Sequence, residues 1–169
     1  SVPDFTSEAP GDMLNYRNKV VYHFEKKSGN WVIGYRAEPS HEVVDVENDP
    51  LAVPQINAAL PGIRAAVVRL LTQGAMSVRR DIEKQGSVTV RWTGKSGVKW
   101  WIGRSREGEV VKETTLGRDF EVPADGFYQV NSQMGEKLAS AVVSKYNAVK
   151  DTAPELLDLY CGVGLFGIL

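Results

Sequence analysis

The chain has a single cysteine, Cys161, in 169 residues. One thiol cannot close an intramolecular disulfide or build a cysteine-only metal site, so neither kind of staple is available to this fold. Histidine is almost as scarce. His23 and His41 lie apart, without the local spacing of a metal-ligand pair, and both read as structural residues. No metal is therefore expected. No apolar run approaches the ~18 residues of a membrane span. The opening residues, Ser1-Val2-Pro3-Asp4, have neither the basic part nor the apolar part of a signal peptide. A cytoplasmic location without membrane attachment is the default expectation. Net charge is scarce too: −1 for the whole chain, which by itself offers nothing to a polyanion.

What is present is a globular composition, 43% hydrophobic and 24% charged, and a charge distribution far from even. Residues 1–60 carry 5 Lys+Arg and 9 Asp+Glu; residues 61–106 carry 10 and 2; residues 107–169 carry 5 and 10. A block of balance +8 thus sits between acidic flanks of −4 and −5. Such a block can build a positive face that attracts phosphates.

Patterning places the elements. Residues 1–15, rich in Pro, Ser, Asp and Glu, read as an extended lead-in. Short β-like runs occupy residues 19–24, 31–36 and 41–46, the first two joined by the turn-prone Lys27-Ser28-Gly29-Asn30. Residues 51–72 carry Ile56, Leu60, Ile63, Val67, Leu70 and Leu71 at helical spacing, with Pro61 predicting a kink or two helices meeting there. Three further β-like runs, at residues 76–83, 87–92 and 98–102, hold most of the basic block. Residues 110–120 form a weaker strand region turning at Gly117-Arg118. Asn131 or Ser132 caps a predicted helix reaching about Val149, with Met134, Leu138, Ala141, Val142, Tyr146 and Val149 on one stripe. An apolar strand at residues 155–161 then leads into a glycine-rich turn.

That last stretch carries the strongest local signal: Leu156-Leu157-Asp158-Leu159-Tyr160-Cys161-Gly162-Val163-Gly164-Leu165-Phe166-Gly167. A strand ending in glycines lets the backbone approach a nucleotide-like ligand without Cβ clashes. The spacing alone would equally suit a dinucleotide. With Asp158 four residues before Gly162, the string resembles the first motif of class I methyltransferases, where strand, acid and glycines surround the methionine part of the cofactor.

Four further segments extend the resemblance over most of the chain: Tyr16-Arg17-Asn18-Lys19-Val20; Gly34-Tyr35-Arg36 followed by Ser40-His41-Glu42-Val43-Val44-Asp45; Val53-Pro54-Gln55-Ile56; and Phe127-Tyr128-Gln129-Val130-Asn131. Their order and spacing resemble the RNA uracil-5-methyltransferases of tRNA and large-subunit rRNA. The resemblance implies an α+β architecture: an antiparallel sheet with a packed helix as a central RNA-recognition domain over residues 16–126. The first helix and strand of a Rossmann-like methyltransferase domain would follow over residues 127–169. It implies S-adenosyl-L-methionine as cofactor and RNA as partner.

The same resemblance assigns roles. Gln129 would contact the cofactor, Tyr160 would line its pocket, and Asp158, Gly162 and Gly164 would bind it at the end of the strand. Leu165 stands where relatives often carry Asn or Thr, which leaves its backbone for the contact. Phe127 would offer a stacking surface to an unstacked uridine; ordinary core packing is the alternative for it, and a buried side chain bonded to backbone the alternative for Gln129. Family catalysis uses a cysteine thiolate that adds to C6 of uracil and a carboxylate that removes the C5 proton. Both would lie beyond Leu169, so no catalytic residue is assigned and the chain alone is expected to be inactive. Cys161, in the cofactor strand, reads as a small buried residue. Asp49-Pro50 stands where several relatives have Cys-Pro, so no iron–sulfur cluster is implied.

Basic and aromatic residues alternate nearby. Arg91, Lys95, Lys99 and Arg104 lie among Trp92, Trp100 and Trp101, a pattern that can hold phosphates and stack bases or can be a plain solvated sheet face. Trp100 and Trp101 point to opposite faces of a strand. If the sheet has one buried side, one of them, expected to be Trp101, reaches solvent, RNA or another domain. The apolar tail, residues 156–169, must pack on the central domain, pair with another copy or be disordered. Two other readings stay open: a stand-alone RNA-binding module, and part of a dinucleotide-dependent enzyme.

Overall fold

A computed structural model describes residues 13–73 and 85–169. The β-like run expected at residues 76–83, and most of the lead-in, lie outside the described residues. The architecture is α+β. Strands β1 (Lys19–Lys27), β2 (Asn30–Arg36), β3 (Val43–Asp45), β4 (Gln85–Thr93) and β5 (Gly97–Ile102) form one antiparallel sheet in the order β3-β2-β1-β4-β5. Helix α1 (Pro54–Thr72) lies between β3 and β4 in sequence. Strands β6 (Val110–Thr115) and β7 (Arg118–Pro123) make a separate hairpin, followed by α2 (Ser132–Val149) and the single turn α3 (Leu165–Ile168).

Local chemistry explains the tight corners. The β1–β2 hairpin closes with Lys27 opposite Asn30, and Ser28 and Gly29 both adopt positive φ, 48° and 89°. That pair of left-handed residues makes the turn whose twist matches the flanking strands. The β6–β7 hairpin repeats the device at Leu116 (φ 49°) and Gly117 (φ 77°), one residue earlier than the expected Gly117-Arg118 turn. Helix α1 begins on Pro54, a position where the missing amide costs nothing. Pro61 lies inside one uninterrupted 19-residue helix, not between two helices.

The sheet has two covered sides. On one, Val20, Tyr22, Phe24, Ile33, Val88 and Val90 pack against Ile56, Leu60, Ile63 and Val67 of α1. On the other, at the β4–β5 end, Trp101 joins Val111, Phe120 and Val122 of the hairpin, Ala124, Tyr128 and the tail residue Leu165. This corrects the expectation for Trp100 and Trp101. Each faces a different core: Trp100 packs partly buried against the α1 cluster, and Trp101 is 8% exposed beneath the hairpin. Period-two alternation was read properly; the second cover was not legible.

A buried polar knot ties the loop before α1 to the sheet. The carboxylate of Asp49, 1% exposed, accepts from Tyr22 (3.0 Å), Tyr35 (2.6 Å) and the Leu51 amide (2.9 Å). The Asn57 side chain brackets the Asp49 backbone, accepting from its amide and donating to its carbonyl, each at 2.8 Å. Next to it, Gly34 lets β3 come close: a Cβ there would sit 1.9 Å from the Val44 carbonyl oxygen.

The tail departs from expectation. Residues 155–161 do not form a strand. A strand needs a neighbour to satisfy its amides and carbonyls, and none of the described strands pairs with it. Leu157 and Leu159 stand 81% and 70% exposed, while Val163, Leu165, Phe166 and Leu169 fold back onto the hairpin, where Arg118 donates to the Ile168 carbonyl at 2.6 Å. The α2 stripe is likewise only partly covered. Gly135 and Ala139 are buried, but Leu138 and Val149 remain about half exposed.

Two outcomes follow. Gly34→Ala must push β3 off the sheet and lower stability by about 1–3 kcal/mol, the range for overpacking a dense site, measured by urea unfolding. Burial, with the Asp49 charge beside them, raises the pKa of both Tyr22 and Tyr35 well above the usual phenol value. The unfolded chain releases those protons from about pH 10 upward and the folded chain keeps them, so stability falls as pH rises above about 10. Urea midpoints between pH 8 and 11 should show a decline that the Tyr22→Phe/Tyr35→Phe double variant flattens.

Candidate functional site

The segment joining hairpin to α2 is held from several directions. Its first part is fixed by carbonyls. The buried Arg91 side chain of β4 donates through Nη1 to Ala124 (3.1 Å) and Gly126 (3.2 Å), and Lys19 Nζ donates to Asp125 (3.1 Å) and Gly126 (3.2 Å). Its middle is fixed by Tyr128, whose hydroxyl shares a 2.6 Å buried bond with Thr115. Its end is fixed where the Asn18 amide donates to the Val130 carbonyl (2.9 Å) and Asn131 caps α2 by accepting from the Met134 amide (3.0 Å).

Tyr128 is anchored inward, whereas its neighbours are more open, Gln129 half-buried and Phe127 exposed. Phe127 is 79% exposed, which excludes core packing for it. Gln129 lies against α2 at Gly135, where an added Cβ would stand 3.1 Å from the Gln129 Cβ. Among the described residues none hydrogen-bonds the Gln129 amide, and the side chain is half-buried, so it is not the buried backbone-bonded side chain considered as its alternative.

Across from this segment comes the glycine turn. Tyr160, Gly162 and Gly164 adopt positive φ of 60°, 59° and 75°, a succession that folds the chain back tightly. Between the two walls lies a cavity of about 380 Å³ lined by Phe127, Gln129, Tyr160, Gly162, Leu165 and their neighbours. Its size falls within the ~300–1,000 Å³ of small-molecule sites. Larger grooves run between β2 and α1 and along α2, but neither gathers any residue of the glycine turn. The structure thus brings Gln129 and Tyr160 together. Asp158 and Gly164 stand behind the wall and do not line the cavity; one oxygen of Asp158, Oδ2, is buried with no hydrogen-bond partner among the described residues. Cys161 is exposed, not buried, and lines the same cavity. Its thiol has one weak contact, to the Gly162 carbonyl at 3.9 Å, and no base beside it among the described residues.

The basic block is used differently from the expectation. Arg91 is 1% exposed and paired to Glu113 at 2.8 Å, so it is closed to phosphate. Burial pushes the Glu113 carboxyl upward against the pull of Arg91. Trp101 is buried and donates its indole N–H to Asp125 (2.7 Å), so it offers no stacking face. Lys95 pairs with Asp119, and Lys99 with Glu109 at 3.6 Å. Arg64 forks onto Asp45 (2.7 and 3.0 Å). The acidic flanks of the sequence therefore fold onto the basic centre and neutralise much of it. Arg104, by contrast, is exposed and has no carboxylate partner among the described residues. Its neighbour Ser105 ties that loop to the segment before Phe127, donating to Asp125 through its amide (2.8 Å) and hydroxyl (2.9 Å).

Several positioning residues carry no sequence motif: Glu113, Thr115 and Asp125; Lys19 lies in the segment of residues 16–20, whose resemblance assigns it no role. Glu113 and Thr115 could have been found as polar residues on the inward positions of an alternating hairpin strand. Asp125 could not, because its partners are 20 and 24 residues away.

This α+β chain, in which an antiparallel sheet and its hairpin support a cavity beside a glycine turn, has relatives among the RNA methyltransferases. No protein-family model matches the chain. It is 25% identical over 163 residues to tRNA (uracil(54)-C(5))-methyltransferase of Schizosaccharomyces pombe, covering 91% of this chain and 29% of that protein. It is 29% identical over 182 residues to an RNA methyltransferase of Aquifex aeolicus, uncharacterized by its name, covering 92% and 41%. The fold is similar to that of a crystal structure of Pyrococcus abyssi tRNA (uracil-54, C5)-methyltransferase in complex with S-adenosyl-L-homocysteine, with a TM-score of 0.59 at 14% identity over 94% of this chain and 47% of that one. The resemblance to the RNA uracil-5-methyltransferases read from the sequence is thus shown by its relatives. The chain spans less than half the length of the curated relatives it matches.

Burial pushes the Asp125 carboxyl up, but the bonds from Ser105 and Trp101 hold it below the usual range. A depressed folded pKa gives stability that is present above about pH 4 and lost on acidification. Asp125→Ala, which orphans the Trp101 indole N–H, should cost about 1–3 kcal/mol near neutral pH and less below pH 4, read by urea unfolding at both.

Proposed function

We propose that the chain is part of an S-adenosyl-L-methionine-dependent RNA uracil-5-methyltransferase, comprising its central RNA-recognition domain (residues 16–126) and the opening of its cofactor domain (residues 127–169). The observation that supports this reading most is the cavity that Gln129 and the exposed Tyr160, thirty-one positions apart, both border. The residues present suit a nucleoside-bearing methyl donor: an apolar wall with an aromatic ring, one amide side chain, and a turn whose Gly162 leaves the backbone open to close approach. Gln129 would hold a polar edge of the cofactor, and Tyr160 and Leu165 its apolar faces. Asp158, with its orphaned oxygen, and Gly164 would keep the turn in shape. When bound, S-adenosyl-L-methionine supplies an electrophilic methyl group.

Phe127 projects at the cavity rim and would stack on an unpaired uracil brought there. Arg104, on the loop clipped to Asp125, would meet a flanking phosphate, and the exposed ends of Lys95 and Lys99 would add weaker contacts. Arg91 and Trp101 serve the fold instead. The RNA is tRNA or rRNA. Cys161, without a base, is not the nucleophile; that thiol and the proton-removing carboxylate belong to the part of the relatives' length that this chain does not span.

Calorimetric titration with S-adenosylhomocysteine should give binding, however weak, and titration with NAD none; Gln129→Ala should weaken the former about ten-fold. Binding of NAD but not of S-adenosylhomocysteine would favour the dinucleotide reading. Methyl transfer to RNA by the chain alone would overturn the assignment of its catalytic groups to other residues.

A further inference from the structure

Burying an arginine is expensive. A guanidinium paired with one carboxylate inside a fold is commonly no more stabilising than two apolar side chains of the same volume. Arg91 is 1% exposed and Glu113 5% exposed, so stability alone gives no reason for the pair. What a leucine could not supply is direction. The guanidinium carries five N–H donors in a rigid fork. Nε and Nη2 both donate to Glu113 Oε1, at 3.1 and 2.8 Å. That leaves Nη1 aimed the other way, into the carbonyls of Ala124 (3.1 Å), Gly126 (3.2 Å) and, at the long limit, Pro123 (3.5 Å). Glu113 therefore sets the angle of the fork, and the fork draws the carbonyls of Pro123, Ala124 and Gly126 toward the sheet. The next residue is Phe127.

We propose that Arg91 is a positioning residue for the cofactor cavity. By gathering the carbonyls of Pro123, Ala124 and Gly126 it fixes where the segment leaves the sheet, and hence where Phe127 and Gln129 stand. The proposal rests on the reading of the cavity as a methyl-donor site. It makes the buried face of the RNA-recognition sheet the support on which one cavity wall is built, so that a disturbance of β4 reaches Gln129 through main-chain hydrogen bonds. Lysine would not substitute, because a single ammonium cannot bond Glu113 and the carbonyls in opposed directions.

The test separates direction from stability. In Arg91→Met/Glu113→Leu both charges are replaced by apolar groups, a change that buried pairs often tolerate without loss of stability. Arg91→Lys is the conservative companion. Amide exchange is read at Ala124 and Gly126, which are bonded to the Glu109 and Pro123 carbonyls, against reference amides in β1 and β2. Cofactor affinity is read by titration with S-adenosylhomocysteine, with Gln129→Ala alongside. The expected result is faster exchange at Ala124 and Gly126 with unchanged β1 and β2, and affinity weakened about ten-fold or more, as misplacement of a binding group requires. Exchange unchanged at Ala124 and Gly126, or raised equally across the sheet, overturns the proposal. So does wild-type affinity in a variant that Gln129→Ala shows to be measurable. If neither wild type nor any variant binds S-adenosylhomocysteine, the cofactor reading fails, and the exchange pattern alone decides whether Arg91 positions the segment.

Discussion

Much of this molecule depends on one buried ion pair, Arg91 with Glu113, placed where two layers meet. A sheet with one apolar and one polar face usually gives the polar face to water. Here the polar face of β4, with Thr89, Arg91 and Thr93 all at most 5% exposed, lies under other structure. Each of these groups needs a partner once water is excluded. The pair answers that need and in doing so fastens the β6–β7 hairpin and the loop after it to the sheet. Around it, Trp101, Phe120, Val122, Tyr128 and Leu165 form a second core, shared between the sheet and the chain that follows.

This shared core explains why two segments far apart in sequence enclose one cavity. The stretch of residues 124–131 is anchored to β1, β4, the hairpin and Asn18. The glycine turn is anchored through Leu165 and Phe166 to the same hairpin. The sheet and the glycine turn thus border one cavity, and the acidic flanks of the sequence contribute the counter-charges that let the basic strands pack inward.

Much of the fold could be read in advance because it is local. Alternation marked six of the seven strand regions expected within the described residues to within a few residues, the region at 110–120 with its turn one residue out; periodicity marked both long helices, and Asn131 stands as the cap its residue type suggested. The misreadings are non-local. The sequence pattern could not tell that the sheet is covered twice, so Trp101 and Arg91 were read as outward. The +8 block could not be seen to meet Asp119, Glu109 and Glu113 until the hairpin folded back. The expected strand at 155–161 has the composition of a strand, but strand formation is a property of a pair, and no described strand lies beside it. For the cavity, the Phe-x-Gln-x-Asn and glycine segments were legible as motifs, whereas the clips that orient them run through Glu113, Thr115 and Asp125, residues with no pattern of their own, and through pairings far apart in sequence.

The exposed run through Leu156, Leu157 and Leu159 has a consequence for how the chain behaves in bulk. It forms no strand and has no ladder partner among the described residues, and Leu157 and Leu159 face outward. Exposed apolar stretches with unpaired main-chain groups are open to pairing with another chain. Concentration therefore acts as a reagent: dilute solutions favour separate molecules, and crowded ones favour association through this stretch. A charged residue in place of Leu157, next to Asp158, would act as a gatekeeper for colloidal stability while leaving both cores untouched.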